Sequence, residues 1–321
     1  MTTLANLFAR LGPPWVLVSC IAAALLLSVL CVRPAFAAAA CQRTPQDGVG
    51  TVAWFYGAPV PVEQLSRFDT VVVEADSGFD PRAAAATRDG QTSHCTNWYA
   101  YVSVGEVSKD RDYFAAMPRK WRLGRNAAWS SAVIDQSAPG WPQFFVEHVI
   151  APLWVRGYRG FFLDTLDSWQ LIAKTDAARA RQQAGLINTI RALKARYPDA
   201  QLILNRGFEI LPEIHGDVAA VAFESLYGSW DQAAQRYGAV PADDRTWLIA
   251  QARTIREQYR LPVISIDYCA PDDAPCRREI VEQICAAGVE PYVTDGALRT
   301  VGVGSDAACG ARPDDAQGAR H

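Results

Sequence analysis

Eight short runs of β-branched and aromatic residues, spaced along about 250 residues and separated by amphipathic segments, constrain this chain more than any other feature. They are Val52 to Tyr56, Thr70 to Glu74, Ala100 to Val104, Gly160 to Asp164, Leu202 to Asn205, Val218 to Glu224, Val263 to Asp267 and Pro291 to Thr294. Most are apolar throughout rather than alternating, which fits parallel strands buried on both faces by helices. Repeated βα units of this number and length predict an α/β fold, a single (β/α)8 TIM barrel. An open doubly wound sheet shares the alternation, but no glycine-rich phosphate loop follows the first run. A short extra run at Ala132 to Asp135 is expected to be a loop strand.

Helix signals fall between the runs. The segment from Pro142 to Val155 opens on a proline in the first turn and stops at Gly157. A second helix is expected from Asp176, read as its cap, to just before Pro198. A third covers residues 275–287, between Pro275 and Gly288.

The first 37 residues read as a secretory signal. Arg10 precedes an uncharged stretch from Trp15 to Val32, and Ala35-Phe36-Ala37 supplies small residues for cleavage. An uncleaved anchor and lipidation at Cys41 are the alternatives. Residues 38–50 read as a linker, 51–303 as the barrel, and 304–321 as a disordered tail rich in Gly, Ala, Asp and Arg. The mature protein is then expected to be secreted or periplasmic, with no stable membrane association. Loss of residues 1–37 removes Arg10 and Arg33 and no acid, taking the formal charge from −3 to −5. With no basic stripe or block, no nucleic-acid partner is expected. Six cysteines survive cleavage (Cys41, Cys95, Cys269, Cys276, Cys285 and Cys309), and an exported chain with an even count is expected to form disulfides. No C-x-x-C occurs and the four histidines are scattered, so neither a metal nor another cofactor is expected.

In a barrel of this kind the active site lies at the C-terminal ends of the strands, so the residues that terminate the runs matter most. They are unusually acidic: Glu74 and Asp76 close the second run, Glu106 follows the third, Asp164 ends the fourth, Glu224 the sixth and Asp267 the seventh, and Asp295 follows the eighth. Tyr56, Asn205 and Arg206 complete the ring, and Trp169, Tyr227, Trp230 and Tyr268 add aromatic faces suited to sugar rings. Buried carboxylates are costly without partners, so several on one rim point to a site. Glycosidic cleavage needs two of them, one protonated to release the leaving oxygen and one ionised.

Four segments carry a family resemblance: Tyr101-Val102-Ser103-Val104-Gly105-Glu106, Gly160-Phe161-Phe162-Leu163-Asp164-Thr165-Leu166-Asp167-Ser168, Leu204-Asn205-Arg206-Gly207-Phe208 and Ala222-Phe223-Glu224-Ser225-Leu226-Tyr227. In these the chain resembles the glycoside hydrolases of family 114, the endo-α-1,4-polygalactosaminidases, and the related hydrolase domain of the Pel polysaccharide hydrolase/deacetylase. The resemblance implies an endo-acting hydrolase of an α-1,4-linked polysaccharide of galactosamine or N-acetylgalactosamine, with Asp164 and Glu224 catalytic. The chain lacks the length for a deacetylase portion.

Tyr56, Asp76, Glu106, Asp167, Asn205, Arg206, Tyr227, Asp267 and Asp295 are the candidate substrate-binding residues. Glu106 pairing with Arg206, and helix capping or ion pairing by Asp267 and Asp295, are the structural alternatives. Glu224, at the end of an apolar strand, is expected to have its pKa raised by desolvation and to act as general acid. Asp164 is expected to stay ionised through hydrogen bonds from Thr165, Ser168 and free N–H groups at a helix start. A non-catalytic sugar-binding barrel and a metal-dependent hydrolase remain the competing functions.

Overall fold

The computed structural model describes residues 49–86 and 96–304. The signal segment, most of the linker, the tail beyond Gly304, and Cys41, Cys95 and Cys309 lie outside the described residues.

Eight parallel strands form the barrel: β1 Val52–Phe55, β2 Thr70–Glu74, β3 Asn97–Ser103, β4 Gly160–Asp164, β5 Gln201–Asn205, β6 Ala220–Glu224, β7 Val263–Tyr268 and β8 Glu290–Thr294. Each pairs in parallel with the next along the chain. A short ninth strand, β9 Val303–Gly304, runs antiparallel to β8. It lodges in the seam between β8 and β1, where a Cβ on Gly304 would lie 3.3 Å from the Val52 carbonyl oxygen and 3.2 Å from the Phe68 ring. Across the seam, the Tyr292 hydroxyl donates to the Trp54 carbonyl at 2.8 Å and the Tyr56 N–H to the Leu298 carbonyl at 2.7 Å. The result is a nearly closed, mostly parallel barrel of nine strands.

The strands match the apolar runs to within a residue or two, except β3, which starts at Asn97 rather than Ala100. The barrel interior is aromatic. Trp54 meets Phe162 edge-on at 5.4 Å and Tyr292 at 5.7 Å, and Tyr101 sits 6.3 Å from Phe162. Side chains two residues apart share a strand face, so Tyr56, two on from Trp54, and Asp164, two on from Phe162, continue that inner face toward the mouth.

Helices cover the outside. Residues 141–156 form one, with a wider turn at Val146–Ile150, ending at Gly157. The helix Asp176–Arg196 is capped by Thr175, whose Oγ1 accepts the Ala178 N–H at 3.2 Å, rather than by Asp176. Ala274–Ala286 follows β7.

Two excursions interrupt the βα rhythm at the mouth. After β3, Glu106–Val107, Arg122–Asn126 and Ser131–Ile134 make a three-stranded antiparallel sheet, which takes in the extra run. After β6, Gly228–Asp231 and Arg236–Ala239 form a hairpin. A disulfide joins Cys269, directly after β7, to Cys276, and Cys285 is disulfide-bonded as well.

Candidate active site

Three neighbouring strands each end in a polar residue: β4 in Asp164, β5 in Asn205 and β6 in Glu224. Because β5 lies between the other two, the Asn205 side chain reaches both carboxylates. Its Nδ2 donates to Asp164 Oδ1 at 2.7 Å and to Glu224 Oε1 at 3.0 Å. These two bonds to one nitrogen hold the accepting oxygens within about 5.7 Å of each other.

The outer oxygens are held by tyrosines from the next strands. Tyr101 of β3 donates to Asp164 Oδ2 at 2.6 Å, and Tyr268 of β7 donates to Glu224 Oε2. Tyr56, after β1, packs edge-on against Tyr101 at 5.1 Å and lies in the field of both carboxylates. Among the described residues, no cation forms an ion pair with either carboxylate. Arg206, in the left-handed region at φ 60°, instead donates to the Glu224 backbone carbonyl at 2.9 Å.

Burial therefore dominates the charge balance. Desolvation, followed by the nearby Asp164 charge, pushes the Glu224 carboxyl up from 4.5 to about 7, against the hydrogen bonds from Tyr268 and Asn205. Asp164 is also raised by burial, against bonds from Tyr101, the Thr165 backbone and Asn205. The sequence reading expected a depressed value there. The Thr165 hydroxyl donates to the Asp164 backbone carbonyl and the Ser168 hydroxyl goes to Glu106, so neither side chain serves the carboxylate.

The loop after β4 is nevertheless what places Asp164. Thr165 adopts φ 62°, and its Oγ1 accepts the Gly105 N–H at 2.8 Å and bonds Ser103 Oγ at 2.9 Å. A Cβ at residue 105 would lie 2.1 Å from the Thr165 carbonyl oxygen, so only glycine lets the two loops lock together.

Several rim acids are engaged elsewhere. Glu106 is buried and accepts from Asn126 at 2.9 Å, Ser168 at 2.5 Å and Ser131. It is tied to the small antiparallel sheet, neither paired with Arg206 nor open to substrate. Asp267 is fully buried and accepts the backbone N–H groups of Leu226, Tyr227 and Gly228 at 3.1, 2.6 and 2.7 Å and the Ser265 hydroxyl at 2.5 Å. Asp295 accepts the N–H groups of Ala297, Arg299 and Thr300. Both are loop anchors rather than sugar contacts. Asp76 is exposed and shares Arg111 with Glu74, at 2.6 and 2.7 Å.

Asp167 is half-buried, close enough to raise the pKa of Asp164. Tyr227 lies under Arg245 at 5.5 Å, and Trp230 packs on Tyr237 in the hairpin at 4.7 Å. Trp169, expected at the rim, is buried in the core. Tyr101 and Tyr268 were not read from the sequence as partners of the carboxylates. The signal was present in Tyr268 at the end of β7 and Tyr101 two residues before the end of β3, since a buried phenol needs a polar partner. Among the described residues, no group of three or more His, Cys, Asp or Glu is placed to hold a metal.

Comparison with known proteins finds a family match and solved structures of the same fold. The profile of glycoside-hydrolase family GH114 matches residues 33–310. The glycoside hydrolase domain of PelA from Pseudomonas aeruginosa superposes with a TM-score of 0.69 at 35% identity, over 79% of this chain and 97% of that one. Ega3 of Aspergillus fumigatus, solved in complex with galactosamine, gives a TM-score of 0.56 at 15% identity over 80% and 96% of the two chains, a likeness of fold. No curated protein matches the chain.

Proposed function

This chain belongs to glycoside hydrolase family GH114 and is a glycoside hydrolase, and from that premise we propose that it is an exported, endo-acting enzyme cleaving an α-1,4-linked galactosamine or N-acetylgalactosamine polymer through Asp164 and Glu224. The observation that carries the proposal is the clamp of Asn205 on both carboxylates. It brings together two acids from non-adjacent strands. The choice of amino-sugar polymer rests on family membership, and galactosamine is the ligand with which Ega3 was solved.

Glu224, raised to about 7, holds a proton at neutral pH and below, and donates it to the glycosidic oxygen. Asp164, whose oxygens accept from Tyr101 and Asn205, attacks C1 as the carboxylate. The C1–O bond breaks, its electron pair takes the Glu224 proton, and a glycosyl ester forms on Asp164. Glu224, now ionised, takes a proton from water as that water attacks C1 and frees Asp164. The separation of under about 5.7 Å fits this two-step, retaining course, because inversion needs roughly 6.5 to 9.5 Å to seat a water between the carboxyls.

Digestion of defined galactosamine and N-acetylgalactosamine oligomers, with product masses and anomers followed, tests the proposal. Internal cleavage with retained configuration is expected. No turnover of any such oligomer would refute the substrate class, and inverted products would refute the mechanism.

A further inference from the structure

The amide of Asn205 is used in a one-sided way. Both hydrogens of Nδ2 are committed, one to Asp164 and one to Glu224, while its Oδ1 is buried with no hydrogen-bond partner. A buried acceptor without a partner is costly, and a side chain kept for general packing would use both ends of its amide. With both groups ionised, the reverse orientation would set Oδ1 against two acceptor oxygens, so this one alone bonds both carboxylates in that state.

We infer that Asn205 is a positioning residue whose single amide nitrogen sets the spacing of Asp164 and Glu224 and couples their ionisation. The inference rests on the proposed catalytic pair and adds to it a group that acts through both members. Each carboxylate also has a private donor, Tyr101 for Asp164 and Tyr268 for Glu224. Asn205 is the shared one. The other charged or titratable groups facing the pair are Tyr56 after β1, Asp167 from the loop after β4 and Arg206 after β5. Glu74 of β2 and Arg111 reach it only through Tyr101. The Asp295 carboxylate, after β8, is occupied by backbone N–H groups.

A donor to the ionised form favours ionisation, so its loss raises the midpoint of the carboxyl it served. The three donors therefore predict three patterns. In Asn205→Ala both Asp164 and Glu224 should titrate higher, by about half a pH unit or more. In Tyr101→Phe only Asp164 should move by as much, and in Tyr268→Phe only Glu224. Carboxyl carbon NMR titration of the four proteins reads these midpoints without any substrate, and Asn205→Ser takes the place of Asn205→Ala if that variant does not fold. Turnover on amino-sugar oligomers is measured in parallel, with kcat expected to fall and KM to stay within about twofold. If both midpoints stay put, or only one moves when Asn205 is cut back, the coupling role is overturned. Raised KM with unmoved midpoints would make Asn205 a substrate contact instead. Shifted midpoints in a wild type that cleaves no amino-sugar oligomer would leave the inference standing and remove the functional reading beneath it.

Discussion

Two sets of carboxylates share the mouth of this barrel and keep different company. Glu74 and Asp76 share one guanidinium, that of Arg111, so each has a cation in direct contact. Among the described residues, the hydrogen-bond donors to Asp164 and Glu224 are neutral: two phenols, one amide and the Thr165 backbone N–H. Burial then raises both pKa values, and Glu224 reaches about 7. The difference teaches that an acid at a strand end becomes chemically useful through the kind of partner it is given. Here burial outweighs the neutral donors, so both carboxyls hold their protons to higher pH than a free acid does.

The largest break in that comparison comes from removing the titratable proton itself. Glu224→Gln and Asp164→Asn should each fold normally and lose turnover by about a thousandfold or more. On a substrate with an activated leaving group, which needs little protonation, Glu224→Gln should lose less than Asp164→Asn. Equal losses there would sink the assignment of roles, and full activity in either variant would remove the pair.

Asp267 tests a third kind of company, the backbone. Its carboxylate satisfies three consecutive N–H groups directly after the Glu224–Ser225 peptide. Asp267→Ala strands those donors in the interior and should cost about 3 kcal/mol or more, read as a drop in denaturation midpoint. A variant as stable as wild type would show that the loop does not depend on this anchor.

Stability against pH separates the two rim groups more finely. The Glu224 carboxyl is raised from 4.5 to about 7 in the fold, so the native state holds its proton longer than the unfolded chain does. Wild-type stability is therefore fully supported below about 4.5 and falls as pH rises through about 7. Glu224→Gln removes that loss. It should melt close to wild type at pH 4 and gain on the order of 2 kcal/mol over it by pH 8. The same titration predicts that wild-type kcat/KM declines above about pH 7. A constant stability difference between the two proteins across that range would contradict the buried, raised carboxyl.

The smallest effect belongs to the ion-paired acids. Arg111→Met should cost about 1 kcal/mol or less, and less still in high salt, because Asp76 is largely exposed. Its alkaline pH limb should coincide with that of wild type. A displaced limb would show that the two carboxylate sets are not independent.

Much of this arrangement was legible in the sequence. The runs at Thr70–Glu74 and Gly160–Asp164 match strands to the residue, since their burial on both faces writes itself as continuous apolar sequence. The start of β3 lies three residues before the expected Ala100: Asn97 carries no apolar signal, but the aromatic Trp98 and Tyr99 do and belonged to the run. The hairpin at Gly228–Ala239 was missed for a different reason: its second strand is exposed throughout and has no buried face to imprint a pattern. Strand-end position identified Asp164, Asn205 and Glu224 as neighbours of a site. It could not distinguish them from Glu106, Asp267 and Asp295, because which way a carboxylate turns depends on donors such as Ser168 and the 226–228 backbone, distant in sequence.

The narrow gap between Asp164 and Glu224 also governs what may follow the first step. With the accepting oxygens within about 5.7 Å, the pair is closer than the roughly 6.5 to 9.5 Å that seats a water between two carboxyls. On the proposed two-step course the glycosyl ester would wait for whichever hydroxyl enters the vacated space, and a sugar hydroxyl would compete there with water on shape and concentration. At high oligomer concentration the enzyme should therefore build chains as well as cut them, with mass spectra showing products longer than the starting material. In a dense polysaccharide matrix it would redistribute chain lengths before it shortened them.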